Sequence, residues 1–221
     1  MSSDRAAPDT KARTVTIFGG TGKTGRHLVR QALDAGDHVT ILVRNPAKVD
    51  LEHERLRVIA GDIGDPAAVA SAIEGTDAVL SVLGPTQNTP DYQISRGTKH
   101  ILDAMTIHGV ERLVVSAGAG VGGEGDQPKL FNHLISFALR LAARHVLEDM
   151  TRTVHAVRGS DLDWTVVRVP MLTDDPPKGQ VRVGLVGVNT GPRIGRADMA
   201  RFMQDQVRDP AHVRQSPVIS N

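Results

Sequence analysis

The chain contains no cysteine. Disulfides, thiolate nucleophiles and thiolate metal sites are excluded together. Aromatic residues are scarce, and chemistry that needs a phenol has one candidate, Tyr92. Neither sign of charge is in excess. The formal net charge is +1, and Lys and Arg form no clustered patch, so no nucleic-acid footprint is expected. The most apolar long run, "LISFALRLAA" (134–143), is interrupted by Arg140 and is too short to span a bilayer. The start, "MSSDRAAPDTKAR", lacks the apolar core of a secretory signal. Residues 1–12 read as a disordered tail, and a cytoplasmic protein with no membrane partner is expected. No internal repeat or low-complexity block occurs. The nine histidines show no H-x-x-x-H pattern and the acids no paired spacing, so no metal site is expected.

What is there is alternation. The 221 residues, 40% of them apolar, suffice for one domain with a real core. "TVTIF" reads as a buried strand. "HLVRQALDAG" carries apolar residues at helical spacing and stops at Gly36. "HVTILVR", "LRVIAGD" and "DAVLSVLG" read as further strands. Asp65-Pro66 opens a helix, with Asp as N-cap and Pro at the first helical position. Helix "YQISRGTKHILDAMTIHG" and strand "RLVVSAG" follow. Continuous Val/Ile/Leu runs suit parallel strands buried on both faces. Strict alternation implies right-handed crossovers and an α/β, doubly wound parallel sheet. The pattern then breaks at "AGAGVGGEGDQP", expected to be mobile, with Glu124 and Asp126 as solvated charges. An amphipathic segment from Lys129 to about Arg158 precedes strand "WTVVRV". Helix "RADMARFMQDQV" and strand "SPVIS" close a single domain over 13–221. Segments 117–158 and 170–195 are its small substrate-side loop and lid elements.

The stretch "TVTIFGGTGKTGRHL" poses a choice of phosphate. Gly22-Lys23-Thr24 resembles the end of a triphosphate loop, G-x-x-x-x-G-K-[ST]. That loop needs a glycine where Ile17 stands inside the strand, and a β-branched residue cannot replace a turn glycine. The dinucleotide fingerprint fits instead. Gly20-x-Gly22-x-x-Gly25, or Gly19-x-x-Gly22-x-x-Gly25, lies after the first strand and at the mouth of the first helix. There the helix N-terminus offers free N–H groups and partial positive charge to a pyrophosphate. Gly19, Gly20, Thr21, Gly22, Lys23, Thr24 and Gly25 form this candidate site. NAD sites usually end the second strand with an acid for the ribose 2′-OH. Here Arg44 stands in that place, with Lys48 nearby, and a guanidinium fork suits a 2′-phosphate. NADP(H) is therefore the expected cofactor, a solvated surface Arg44 being the alternative.

"TIFGGTGKTGRHLVRQAL", "TILVRNPAK", "IAGDI", "AVLSVLG" and "GTKHILDAMTIHGVERLVVSAG", with "IGRADMARFM" near the end, together resemble the atypical short-chain dehydrogenase/reductases. The NmrA-like and biliverdin-IXβ/flavin reductase group is the branch most similar. The likeness runs from about Arg13 to Asn221 and implies a Rossmann-like NAD(P)-binding fold. It implies that Asp62 and Ile63 flank the adenine, and that Val82, Leu83, Gly84 and Pro85 line the riboses. It further implies that Ser116 faces the nicotinamide as the catalytic candidate, and that the segment containing Pro170 passes the carboxamide. Asp62 capping the next turn and Ser116 bonding backbone are the alternatives.

Many short-chain reductases carry Tyr-x-x-x-Lys as proton donor. Tyr92 is followed by Arg96 at the fourth place and lies before the fifth strand, so that donor is absent. The group's Asn in the helix after the fourth strand is His100, and the His some flavin reductases carry is missing at Pro170-Met171. A site without a strong acid suits a flavin, quinone or other conjugated acceptor, which spreads incoming charge and takes its proton from water. The expectation is an NADP(H)-dependent reductase of such a small molecule, acting as monomer or homodimer. A non-catalytic NADP sensor and, more weakly, a nucleotide-sugar epimerase are the alternatives. His133 and His155 are placed to reach the cleft or simply to pack. The stripe Leu130, Phe131, Leu134, Ala138 and Leu141 reads as lid, dimer face or core.

Overall fold

A computed structural model describes residues 11–84, 87–128 and 143–221. Most of the expected tail, Pro85, His133 and the stripe Leu130, Phe131, Leu134, Ala138 and Leu141 lie outside the described residues.

The alternation read from the sequence becomes β1 (Thr14–Phe18), α1 (Lys23–Asp34), β2 (His38–Val43), β3 (Leu56–Ala60), α2 (Pro66–Ile73) and β4 (Ala78–Ser81). Then come α3 (Gln93–His108), β5 (Arg112–Gly118), α4 (Arg144–Arg158) and β6 (Asp163–Val169). The C-terminal part holds β7 (Met171–Thr173), β8 (Arg182–Gly184), β9 (Arg193–Gly195), α5 (Arg196–Asp205) and β10 (Val218–Ser220). Eight strands form one sheet in the order β3-β2-β1-β4-β5-β6-β10-β8. Its pairs are parallel except β10 with β8. This is the doubly wound, Rossmann-like sheet. Chain order reverses between β1 and β4, the switch point where such sheets open a crevice at their carboxyl ends.

Each face of the sheet buries its own core. Val69 and Ile73 of α2, Ile101 and Met105 of α3, and Val154 and Val157 of α4 pack with Leu113 on one side. Leu28 and Leu33 of α1 and Met199 and Met203 of α5 pack with Ile17 and Ile41 on the other. Each such side chain, sealed from water, contributes about 1.5–3 kcal/mol. At the N-terminus of α2, Asp65 accepts the Ala67 N–H at 2.9 Å with Pro66 in the first turn. That is the cap expected from the sequence.

Three expectations are corrected. The strand β3 is not buried on both faces. It is the sheet edge, with Arg57, Val58 and Ala60 exposed. The short strands β7, β8 and β9 were not foreseen. Asp126 is not a solvated charge. Its side chain is 11% exposed and grips Arg168, which is fully buried within β6. The two Arg168 Nη atoms donate to the Asp126 oxygens at 2.6 and 2.9 Å, and Arg168 Nε donates to Ser216 O at 2.8 Å. Asp126 also accepts the Gly123 and Val186 amides. A charge in an apolar strand needs a partner, and here the partner ties the glycine-rich loop to β6 and to the chain after β8. Glu124 is exposed, as expected.

Among the described residues no helix is long and apolar enough to cross a membrane, and no group of three His, Asp or Glu side chains could hold a metal ion.

Candidate functional site

The turn after β1 sets the geometry. Gly19 has φ +84°, a left-handed conformation that favours glycine. Its carbonyl accepts the Gly22 N–H at 3.0 Å. Helix α1 then begins with no side-chain cap and no acid in its first turn. The first intrahelical bond runs from Arg26 N–H to Gly22 O, which leaves the amides of Lys23, Thr24 and Gly25 without an intrahelical acceptor. These are the groups that take an anion at a helix N-terminus. Gly25 packs directly on the turn, since a Cβ there would lie 2.0 Å from Gly19 O. The helix approaches the sheet this closely only because the side chain is absent. On these observations the turn fits a dinucleotide pyrophosphate.

Beside the turn lies a cleft of about 330 Å³, within the usual range of small-ligand pockets. Register explains its position, because Phe18 at the end of β1 stands opposite Leu42 on one side and Ser81 on the other. Gly19, Thr21 and Gly22 form one wall, and Arg44, Asp62 and Ile63 another. Val82, Leu83 and Gly84 follow β4, and Gln87, Thr89, Asp91, Gln93 and Ile94 lead into α3. From α4 come His145 and Asp149.

The structure thus brings together nine of the residues read from the sequence: Gly19, Thr21, Gly22, Arg44, Asp62, Ile63, Val82, Leu83 and Gly84. Gly20, between two of these, faces Ile41 instead of the cleft. Thr24 is buried in the first turn of α1. The Lys23 ammonium is exposed and bonds Asp174 at 2.9 Å, and Arg196 bonds the other Asp174 oxygen at 2.8 Å. The Lys23 hydrogen bond, with Arg196 beside it, holds the Asp174 carboxyl below the usual carboxylate range. Ser116 is buried in β5 opposite Val167 and does not line the cleft, and neither does Pro170, between β6 and β7. His155 is exposed on α4, away from the cleft.

Arg44 and Asp62 face each other, Nε to Oδ2 at 4.0 Å, both largely exposed. Such a pair is worth at most about 1 kcal/mol, so the guanidinium is easily drawn to another anion. Asp62 also accepts the Gly64 N–H at 2.8 Å, the turn cap given as the alternative to its adenine role. His100 bonds Ile63 O through Nδ1 at 3.0 Å, fixing the cleft wall to α3.

The sequence reading placed 117–158 on the substrate side and named His155 of this helix, but the α4 residues that line the cleft are His145 and Asp149. Asp149 is buried and accepts the amides of Ile94 and Ser95 at 3.1 and 2.9 Å, capping α3 from another helix. The signal was the i, i+4 spacing of His145 and Asp149, which puts both on one helix face. Tyr92 is not an activated acid. Its OH donates to Glu148 at 2.9 Å, and that hydrogen bond to a carboxylate pushes the phenol above its ordinary range.

Comparison with known proteins gives the same picture. A profile of the NAD(P)H-binding family matches residues 19–210. The chain belongs to that family. Among its relatives, an uncharacterized chloroplastic protein of Arabidopsis thaliana is 28% identical over 82% of this chain and 67% of its own. A (4-alkanoyl-5-oxo-2,5-dihydrofuran-3-yl)methyl phosphate reductase of Streptomyces griseus is 28% identical over 70% of this chain and 46% of its own. The chain thus spans two-thirds of the first relative and under half of the second. A short-chain dehydrogenase/reductase of Veillonella parvula, solved in complex with NADP, superposes with TM-score 0.77 at 19% identity, over 96% of this chain and 95% of that one. At that identity the likeness is one of fold, and it agrees with the resemblance to the atypical short-chain dehydrogenase/reductases.

Proposed function

We propose that this NAD(P)H-binding protein is an NADP(H)-dependent reductase of a small conjugated acceptor such as a flavin or quinone. The observation that carries the cofactor choice is Arg44 on the cleft wall at the end of β2, where a ribose-binding acid would stand. Its only close anionic partner among the described residues is an exposed carboxylate 4.0 Å away. A 2′-phosphate, with two charges and fork geometry, competes well against that contact.

Bound, the cofactor supplies a hydride. The chain's residues do the rest. The amides of Lys23, Thr24 and Gly25 bind the pyrophosphate, Ile63 and Leu83 offer apolar surface to the rings, and Asp149 holds α3 in place beside them. The acceptor class follows from what the site lacks. The one tyrosine is tied to Glu148 and is followed by Arg96 in place of a lysine. An acceptor that delocalises charge needs no strong acid, whereas an isolated ketone does. A reductase named among the relatives acts on an unsaturated lactone phosphate, which is in keeping with conjugated substrates.

The test is NADPH oxidation followed by nicotinamide absorbance with FMN, riboflavin, menadione and duroquinone. Turnover with at least one, and slower turnover with NADH, is expected. Tight NADPH binding with no turnover across the panel would overturn the reductase and favour a non-catalytic NADP sensor.

A further inference from the structure

The polar groups at the α3 and α4 end of the cleft are nearly all engaged with one another. Asp149 spends one carboxylate oxygen on the Ile94 amide and the other on the Ser95 amide. Asp91 accepts Thr89 Oγ1 at 3.0 Å on one oxygen and Gln93 Nε2 at 2.7 Å on the other. His145 differs. It lines the cleft, and its Nδ1 is sealed from solvent without any hydrogen-bond partner.

An imidazole nitrogen in that state has lost water and gained nothing, and such groups in folded proteins ask for an explanation. Looseness is not the explanation, because the residue is held from several sides. Its N–H donates to Asn88 Oδ1, on the loop before α3, at 3.0 Å. Its ring meets the Tyr92 ring edge-on, centroids 6.4 Å apart at 69°. Tyr92 is itself clamped, its OH bonded to Glu148 and its face covered by the Arg152 guanidinium at 4.0 Å. Tyr92 also takes a left-handed backbone conformation, φ 48° and ψ 42°, which a bulky residue rarely adopts. Strain of this kind persists where surrounding contacts over-determine it, and it gathers at ligand sites. His145 is moreover the second residue of α4, a helix of 15 residues with no acid in its first turn, where Asn88 Oδ1 accepts the His145 and Val146 amides at 3.0 and 3.3 Å. The partial positive charge there favours an oxygen that gains negative character.

We infer that His145 is the acceptor-binding residue of the cleft: a turn of its ring brings the unpartnered Nδ1–H to the cleft, where it donates a hydrogen bond to a carbonyl oxygen of the substrate. This rests on the reductase reading and narrows it. The acceptor is a conjugated carbonyl compound, a quinone or enone, whose oxygen lodges against α4.

The probe is menadione, titrated calorimetrically into protein saturated with NADP⁺, so that no hydride is available. Wild type binds it, and His145→Ala binds it at least tenfold more weakly, with NADP⁺ affinity kept within twofold. His145→Asn, whose amide can donate from nearly the same place, recovers part of the loss. 2-Methylnaphthalene, the same ring system without oxygens, shows no difference between wild type and His145→Ala. In wild type, the His145 Nδ1 resonance in long-range ¹H–¹⁵N spectra moves when menadione is added and stays put with 2-methylnaphthalene. This readout needs no variant and stands even if His145→Ala does not fold. Equal menadione affinity in wild type and His145→Ala, an unmoved Nδ1 resonance, or no menadione binding at all would each overturn the inference. Its failure is separable from that of the reductase reading. Menadione held through His145 without any NADPH oxidation would sink the reductase alone. NADPH oxidation by menadione at equal rate and KM in wild type and His145→Ala would sink the His145 assignment alone.

Discussion

Substitution of Gly25 by alanine probes the joint on which cofactor binding depends. The added Cβ would stand 2.0 Å from Gly19 O and 2.8 Å from both Gly19 C and Gly20 Cα. Backbone atoms cannot rotate aside as a side chain would. Reaching even the 3.0 Å limit of real Cβ contacts requires the turn and the helix to part by about 1 Å. Gly19 O also accepts the Gly22 N–H at 3.0 Å, so the same displacement strains the bond that closes the turn. Overpacking of this kind costs about 1–3 kcal/mol, and a weakened backbone hydrogen bond adds about 0.5–1.5 kcal/mol. A loss of about 2–4 kcal/mol in urea-unfolding free energy is expected. The amides of Lys23, Thr24 and Gly25 move with the helix. Each hydrogen bond they give a charged phosphate is worth about 1.5–3 kcal/mol, so disturbing one raises the NADPH dissociation constant by at least about tenfold. Urea denaturation without ligand and calorimetric titration with NADPH measure the two effects separately. A variant within about 0.5 kcal/mol of wild type that also binds NADPH equally well would refute the reasoning.

Other outcomes follow from particular contacts. Arg44→Gln raises the NADPH dissociation constant about 10–100-fold, the worth of one charge-assisted contact, and leaves NADH within about twofold; equal losses for both cofactors would remove Arg44 from the 2′-phosphate. Asp126→Ala leaves the Arg168 charge buried and unpaired and destabilises the fold by about 3–5 kcal/mol in chemical denaturation. That contact also carries a pH signature. Burial pushes the Asp126 carboxyl up, but the Arg168 hydrogen bonds and the Gly123 and Val186 amides outweigh it, so the folded value lies below the ordinary one. Its contribution is therefore complete above the unfolded carboxylate value of about 3.9 and lost as pH falls through the folded value. The stability gap between wild type and Asp126→Ala should be flat near neutrality and shrink in acid; a gap that widens in acid would contradict it. Asp149→Ala uncaps α3 and costs about 1–3 kcal/mol, read by urea unfolding.

The parts legible in the sequence are those whose cause is local. The glycines after "TVTIF" announce the turn because a backbone approach this close has few chemical solutions, and Asp65-Pro66 announces α2 because cap and helix are neighbours. The continuous apolar runs gave the parallel sheet, and they failed at β3, where an edge position relaxes the demand for two buried faces. Three-residue strands such as β8 and β9 are too short to carry any period and exist through pairing with distant segments. Arg168 inside "WTVVRV" is a charge in an apolar strand, but its partner Asp126, 42 positions away, is a property of the folded chain. Which α4 residues reach the cleft was hidden for the same reason. His145 and Asp149 meet the loop before α3 and the start of α3 only through packing of α4 on α3, and their spacing alone looks like ordinary helix surface.

The most direct measurement is a calorimetric titration of the purified protein with NADPH and, separately, NADH. Saturable binding of both, with NADPH preferred by at least tenfold, is the expected result. No heat from either nucleotide, with the protein shown to be folded, would contradict the assignment of the turn after β1 as a pyrophosphate site.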